Sequence, residues 1–190
     1  RETLLAEIAE MAPVATSADR ACAYIRTLRI LREDDAAIAL TDRVLQSTPS
    51  AAEVWRLRAL LLVDRGSLPN AAVAFEAALA VAPDNCETLT AYSATLARMA
   101  RAEDAVAPGR RAAEVCLENE NPDIRRAALL QCLSCQIEVN RIDDAVIFLK
   151  NLKEQAVHIA ETWAVLARSL HQAGRQEEAE ATAGEGRGRF

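Results

Sequence analysis

Aromatic residues make up only 4% of this chain, and glycine and proline number just six each among 190 residues. With Ala, Leu, Glu and Arg dominating the remainder, the average residue favours a helix over a strand. A basic surplus is also missing. Lys and Arg total 22 against 28 Asp and Glu, and the formal charge of -6 argues against a phosphate-binding surface, because nucleic-acid binders concentrate cations to displace counterions. No long apolar run is present: the longest, Ala77-Ala78-Leu79-Ala80-Val81-Ala82, is far too short to span a bilayer. No basic-plus-apolar leader opens the chain, which begins with Arg1 and is expected to be a piece of a longer protein. The five cysteines (Cys22, Cys86, Cys116, Cys132, Cys135) are odd in number and fall at helical positions that look buried. They lack the paired framework of a small secreted domain, which predicts free thiols, a reducing compartment and a cytoplasmic location. No phosphate loop or dinucleotide fingerprint occurs, so no cofactor is expected.

What the chain does have is 51% hydrophobic residues, enough for one core or a row of smaller ones, and an internal period. Pro49 precedes Pro83 by 34 residues, and Ala37 precedes Ala71 by the same step. The clearest unit, 52–85, carries Trp55, Ala59, Leu62, Gly66, Ala71, Phe75, Ala78 and Pro83. Small side chains at 59, 71 and 78 let two antiparallel helices approach while Trp55, Leu62 and Phe75 fill the space around the contact. Gly66 supplies a left-handed turn, Ser67 and Pro69 open the second helix, and Pro83 ends it.

These spacings resemble the tetratricopeptide-repeat pattern, with Arg58 standing where that family usually has Leu. The resemblance extends over nearly the whole chain in five units, near 18–51, 52–85, 86–125, 126–159 and 160–190, preceded by a helix or cap at 1–17. The third and fifth are irregular. Ala145 follows Ala105 by 40 residues, not 34, which predicts a longer second helix near 117–125. Pro108-Gly109 predicts a break or kink in that helix. The second helix of the fifth unit is expected to dissolve into Gly184-Glu185-Gly186-Arg187-Gly188, and Asn140 stands where a capping Gly is usual. The family likeness implies an all-α solenoid of stacked helix pairs, a right-handed superhelix with a concave groove lined by the first helix of each unit.

Carried over position by position, that groove falls to Asp19, Cys22, Arg26 and Arg29 in the first unit and to Glu53, Arg56, Leu60 and Val63 in the second. The third contributes Glu87, Thr90, Ala94 and Ala97, the fourth Leu130, Ser134 and Ile137, and the fifth Glu161, Ala164, Arg168 and His171. An apolar floor with arginines toward both ends suits a protein or peptide partner, an amphipathic helix or extended segment carrying acidic residues. Against that stands the plainer reading that the arginines pair with nearby Asp and Glu. The Lys, Asn and Arg set with which some family members grip a free carboxylate is absent: the corresponding places hold Cys22, Arg26, Ala91, Ala127 and Gln131.

Residues that suggest chemistry have simpler explanations. Cys132 and Cys135 lie inside a helix with no second pair, too few ligands for structural zinc, and are expected to be ordinary thiols. His158 and His171 have no recognisable nucleophile spaced to pair with them. The carboxylate pairs 34–35, 103–104, 143–144 and 177–178 precede each second helix's small residue and suit first-turn acids facing a helix dipole. The expected function is therefore a non-catalytic scaffold for protein binding, of bacterial origin on its Ala and Arg usage, with self-association through terminal units as a further expectation. The alternative is the non-catalytic repeat region of a larger enzyme such as a bacterial glycosyl- or sulfo-transferase.

Overall fold

Helices joined by short turns account for the computed structural model, which describes residues 18–151 and 160–188. The cap expected at 1–17, His158 and the side chain of Glu161 lie outside the described residues. Among the described residues there are no strands, and no helix is long and apolar enough to cross a membrane. Contacts divide the chain into two compact units, 1–83 and 84–190.

In the first unit, α1 (Ala18–Ile30), α2 (Asp34–Ser47), α3 (Ala52–Asp64) and α4 (Leu68–Val81) each pack on the next, and α1 also packs on α3. Ile25, Leu28, Ala37, Val54, Leu57 and Leu61 form the core that α1, α2 and α3 share. At the α3–α4 contact Ala59, Ala71 and Ala78 are buried and Phe75 is fully enclosed, the close approach that small side chains permit. Gly66 adopts φ +75°, its amide donates to the Val63 carbonyl, and the Ser67 amide reaches the Leu62 carbonyl. Ser67 holds the N-cap position but makes no capping bond; its hydroxyl accepts from Asn70 Nδ2 at 3.0 Å. Arg58, the departure from the family's Leu, reaches back to α2, bonding Thr41 Oγ1 at 3.3 Å and Asp42.

The second unit runs α5 (Cys86–Arg98), α6 (Ala102–Cys116), α7 (Pro122–Glu138), α8 (Ile142–Asn151), α9 (Ala160–Gln172) and α10 (Gln176–Arg187). Sequential helices pack together, and the first helices α5, α7 and α9 are also neighbours in that order. Asn85 and Asn121 cap α5 and α7, accepting from the Thr88 and Asp123 amides at 2.9 Å each. Ala100 and Asn140 take the left-handed conformation that Gly174 takes in the last pair, with φ 58°, 59° and 76°. The acidic pairs do open α2, α6, α8 and α10. Three of them are met by the arginine just before the helix: Arg101 with Asp104, Arg141 with Asp144 and Arg175 with Glu178.

Four expectations need correction. The six extra residues lengthen α6 by only one relative to α4. Four extend the start of α7, because Asn121 and Pro122 begin that helix earlier than the family frame requires. Pro108 does not break α6, which runs unbroken from Ala102 to Cys116. Its neighbour Gly109 is buried where α6 crosses α5 and α7; a Cβ there would stand 2.9 Å from Ser93 Oγ and 3.5 Å from the Cys132 Cα. Ser93 Oγ is held by donating to the Ala105 carbonyl at 2.9 Å, so the glycine is what lets these helices close. The glycine-rich tail does not dissolve either. Helix α10 continues to Arg187, and buried Gly186 faces Trp163, where a Cβ would come within 3.0 Å. Finally, the cysteines are not all free: Cys86 and Cys116 form a disulfide, with Cα atoms 5.3 Å apart, tying the first residue of α5 to the last of α6.

Candidate functional site

The first helices carry the predicted positions, and their exposure is best followed within each compact unit. In the first unit Arg26 is exposed, while Arg29, Glu53, Arg56, Leu60 and Val63 are half-buried. Cys22 is not a groove residue: it is 5% exposed and belongs to the apolar core, where burial first and the Glu53 carboxylate second push its thiol up. Arg26 and Arg56 converge on one acid. Glu53 Oε1 accepts from Arg26 Nη2 and Arg56 Nη2 at 2.6 Å each, and Oε2 from Arg56 Nε at 2.7 Å. Burial works to raise the Glu53 pKa, but the hydrogen bonds and charges of Arg56 and Arg26 outweigh it and hold the carboxyl below its usual range. Both arginines thus pair with Glu53 in the free protein.

Toward the ends of α1 and α3, Arg29 closes on Asp64, Nε to Oδ2 at 2.5 Å and Nη2 to Oδ1 at 3.3 Å. Beside this pair opens a cavity of about 460 Å³ lined by Arg26, Arg29, Ile30, Arg32 and Asp64. Ile30 and Arg32 escaped the sequence reading because they belong to a helix end and its turn, off the stripe expected to line a groove. The available signal was Arg32 itself, one 34-residue period before Gly66 and thus in a left-handed cap.

In the second unit Ala94, Leu130 and Ile137 are half-buried, Ser134, Arg168 and His171 are exposed, and Ile137 packs against the core cluster. Helices α5, α7 and α9 thus leave a mixed small, apolar and polar face. Thr90 donates to the Cys86 carbonyl at 2.9 Å, a local helical bond, and Glu87 is exposed. Cys132 and Cys135 are free and fully buried; burial pushes the Cys132 thiol up to about 12, and Cys135 in the same direction. Burial of this kind favours the protonated, less reactive form of a thiol. No group of three or more metal-ligating side chains occurs among the described residues.

No protein-family model matches the chain, and no curated protein matches it. Solved structures do. YrrB, described as a TPR protein with an unusual peptide-binding site, superposes with a TM-score of 0.70 at 20% identity, over 95% of this chain and 90% of its own. MamA gives 0.70 at 12% identity, over 90% and 91%. PilW, a type IV pilus biogenesis factor, gives 0.65 at 21% identity, over 90% and 77%. With helix pairs recurring at the period of the small residues and likeness of this extent, the chain has the tetratricopeptide-repeat fold.

Proposed function

We propose that this chain is a protein-interaction scaffold that binds a peptide or partner helix on the free faces of its first helices and carries out no chemistry. The observation that carries this reading is a division of labour within each first helix. In α3, Val54, Leu57 and Leu61 are buried whereas Glu53, Arg56 and Leu60 keep part of their surface in water. In α7, Leu129, Cys132 and Leu133 are buried whereas Leu130 and Ser134 are not. A mixed apolar and charged face of that kind is what a partner helix or extended segment can cover. YrrB, a fold relative, is described as having a peptide-binding site, which supports the same reading. Cytoplasmic placement loses its basis in the cysteines, since it assumed five unpaired thiols and one pair is bonded.

The test compares the full chain with Arg56→Glu/Arg168→Glu as baits on one lysate, after circular dichroism has shown equal helicity. Partners retained by the wild type and lost by the variant support the reading. Identical sets of bound proteins, or none on either bait, overturn it.

A further inference from the structure

The cavity at the ends of α1 and α3 is richer in guanidinium than its own carboxylates require. Among the described residues three arginines line it against one aspartate, Asp64, which Arg29 engages; Arg26 takes Glu53, already bound by Arg56. Arg32 makes no side-chain ion pair with any described residue, although it stands next to this cluster. Arg32 sits at φ 60°, a region that costs an ordinary side chain about 1–2 kcal/mol relative to its preferred conformations and that glycine enters freely. Gly66 and Gly174 fill the equivalent turns of two other units and Ala100 and Asn140 those of the remaining two, so glycine can replace the arginine without loss of the turn. Next to it, Ile30 is 80% exposed and Leu31 40%, the exposed large apolar pair nearest the cavity.

From this juxtaposition we infer that the cavity is a docking site for an acidic peptide segment bearing an apolar residue beside its carboxylates. The inference rests on the scaffold reading above and names the chemistry of one partner contact. A ligand carboxylate enters between Arg32 and Arg29, using guanidinium N–H groups that the internal pairs leave over, since each guanidinium has five donors. Its apolar neighbour covers Ile30 and removes that side chain from water. Charge complementarity selects acid over base, and the exposed isoleucine selects a mixed segment over a purely acidic one.

Fluorescence anisotropy on the full chain tests this with a fluorescein-labelled ten-residue peptide of alternating glutamate and leucine. Its glutamine–leucine counterpart serves as the uncharged control. The glutamate peptide is expected to bind at least about tenfold more tightly than the control. Arg32→Gly should weaken it by about tenfold while leaving the fold intact, because glycine relieves the left-handed turn; Ile30→Ser should weaken it about threefold or more. Arg98→Glu, an exposed arginine in the second unit, should change little and excludes a bulk charge effect. Wild-type binding that survives Arg32→Gly and Ile30→Ser unchanged overturns the site but leaves the scaffold reading standing. Absence of any preference for the glutamate peptide also overturns the site, and the bait comparison then decides the scaffold reading separately.

Discussion

At the scale of single residues, Gly109 shows how one hydrogen atom can decide a helix crossing. In an isolated helix, Gly→Ala gains about 1 kcal/mol of propensity, but here the new methyl would meet Ser93 Oγ at 2.9 Å, and overpacking of that kind costs about 1–3 kcal/mol. Gly109→Ala is therefore expected to destabilise the wild type. In a Ser93→Ala background, where the oxygen is gone and the next neighbour is in ordinary contact at 3.5 Å, the same change should turn neutral or stabilising. Urea unfolding of the four-member cycle measures this coupling, and a cost that is equal in both backgrounds would contradict it. Glu53 offers a second measurement. Its folded pKa lies below the ordinary value of 4.5, so its ion pairs contribute stability above that pH and lose it as the pH falls through the folded value. The urea midpoint of Glu53→Gln should accordingly fall less between pH 6 and pH 3 than that of the wild type. Much at this scale was legible: Ala59, Ala71, Ala78 and Phe75 are buried as their spacing implies. Gly109 was not, because Ser93 and Cys132 reach it from helices 16 and 23 residues away in sequence, and local reading of Pro108-Gly109 finds only a helix breaker.

Helices and their turns were the most predictable level, since a 34-residue period marks where each pair repeats and each left-handed cap falls at Arg32, Gly66, Ala100, Asn140 or Gly174. Ala100 is exposed and pays no evident dividend for its φ of 58°, so Ala100→Gly should raise stability by about 1 kcal/mol, read as a higher urea midpoint. The disulfide belongs to this level too. Cys86 and Cys116 stand at the two chain ends of one helix pair, 30 residues apart, a relation recoverable from the helix boundaries once they are known, whereas a count of five cysteines conceals it. Closing a ring of that size removes unfolded-state freedom worth about 3.5 kcal/mol. Cys116→Ser, or reduction of the wild type, should lower stability by an amount of that order, and a thiol reagent should count three thiols in the denatured unreduced chain against five after reduction. Five thiols without reductant would mean that the bond is absent. The frame slipped at α7 for a local reason: a strict 34-residue step from 86 reaches 120, close to the strong helix start Asn121-Pro122, but assigning the six extra residues to the end of the third unit moved the fourth to 126.

For the molecule as a whole, the division at Pro83 and Asp84 carries a consequence that the period alone does not. A regular array predicts equal coupling at every step, yet contacts gather into a segment with two described helix pairs and one with three. Stability in such folds is a sum of weak units and their interfaces, and about three pairs are needed before the interfaces outweigh the entropy of ordering the chain. The second unit meets that requirement and adds the disulfide and a core of Leu129, Leu133, Phe148, Trp163, Leu166 and Leu170. The first has Phe75 and the aliphatic cluster around Ile25 and Leu57, with no cross-link among its described residues. Expressed alone, residues 84–190 should therefore unfold cooperatively in urea with native-like helicity, and residues 1–83 should be marginal, with a broad transition at lower urea. Equal midpoints for the two fragments, or a fragment 84–190 that lacks helical circular dichroism, would show that neither segment is the cooperative unit and that stability is spread along the chain without regard to the division at Pro83.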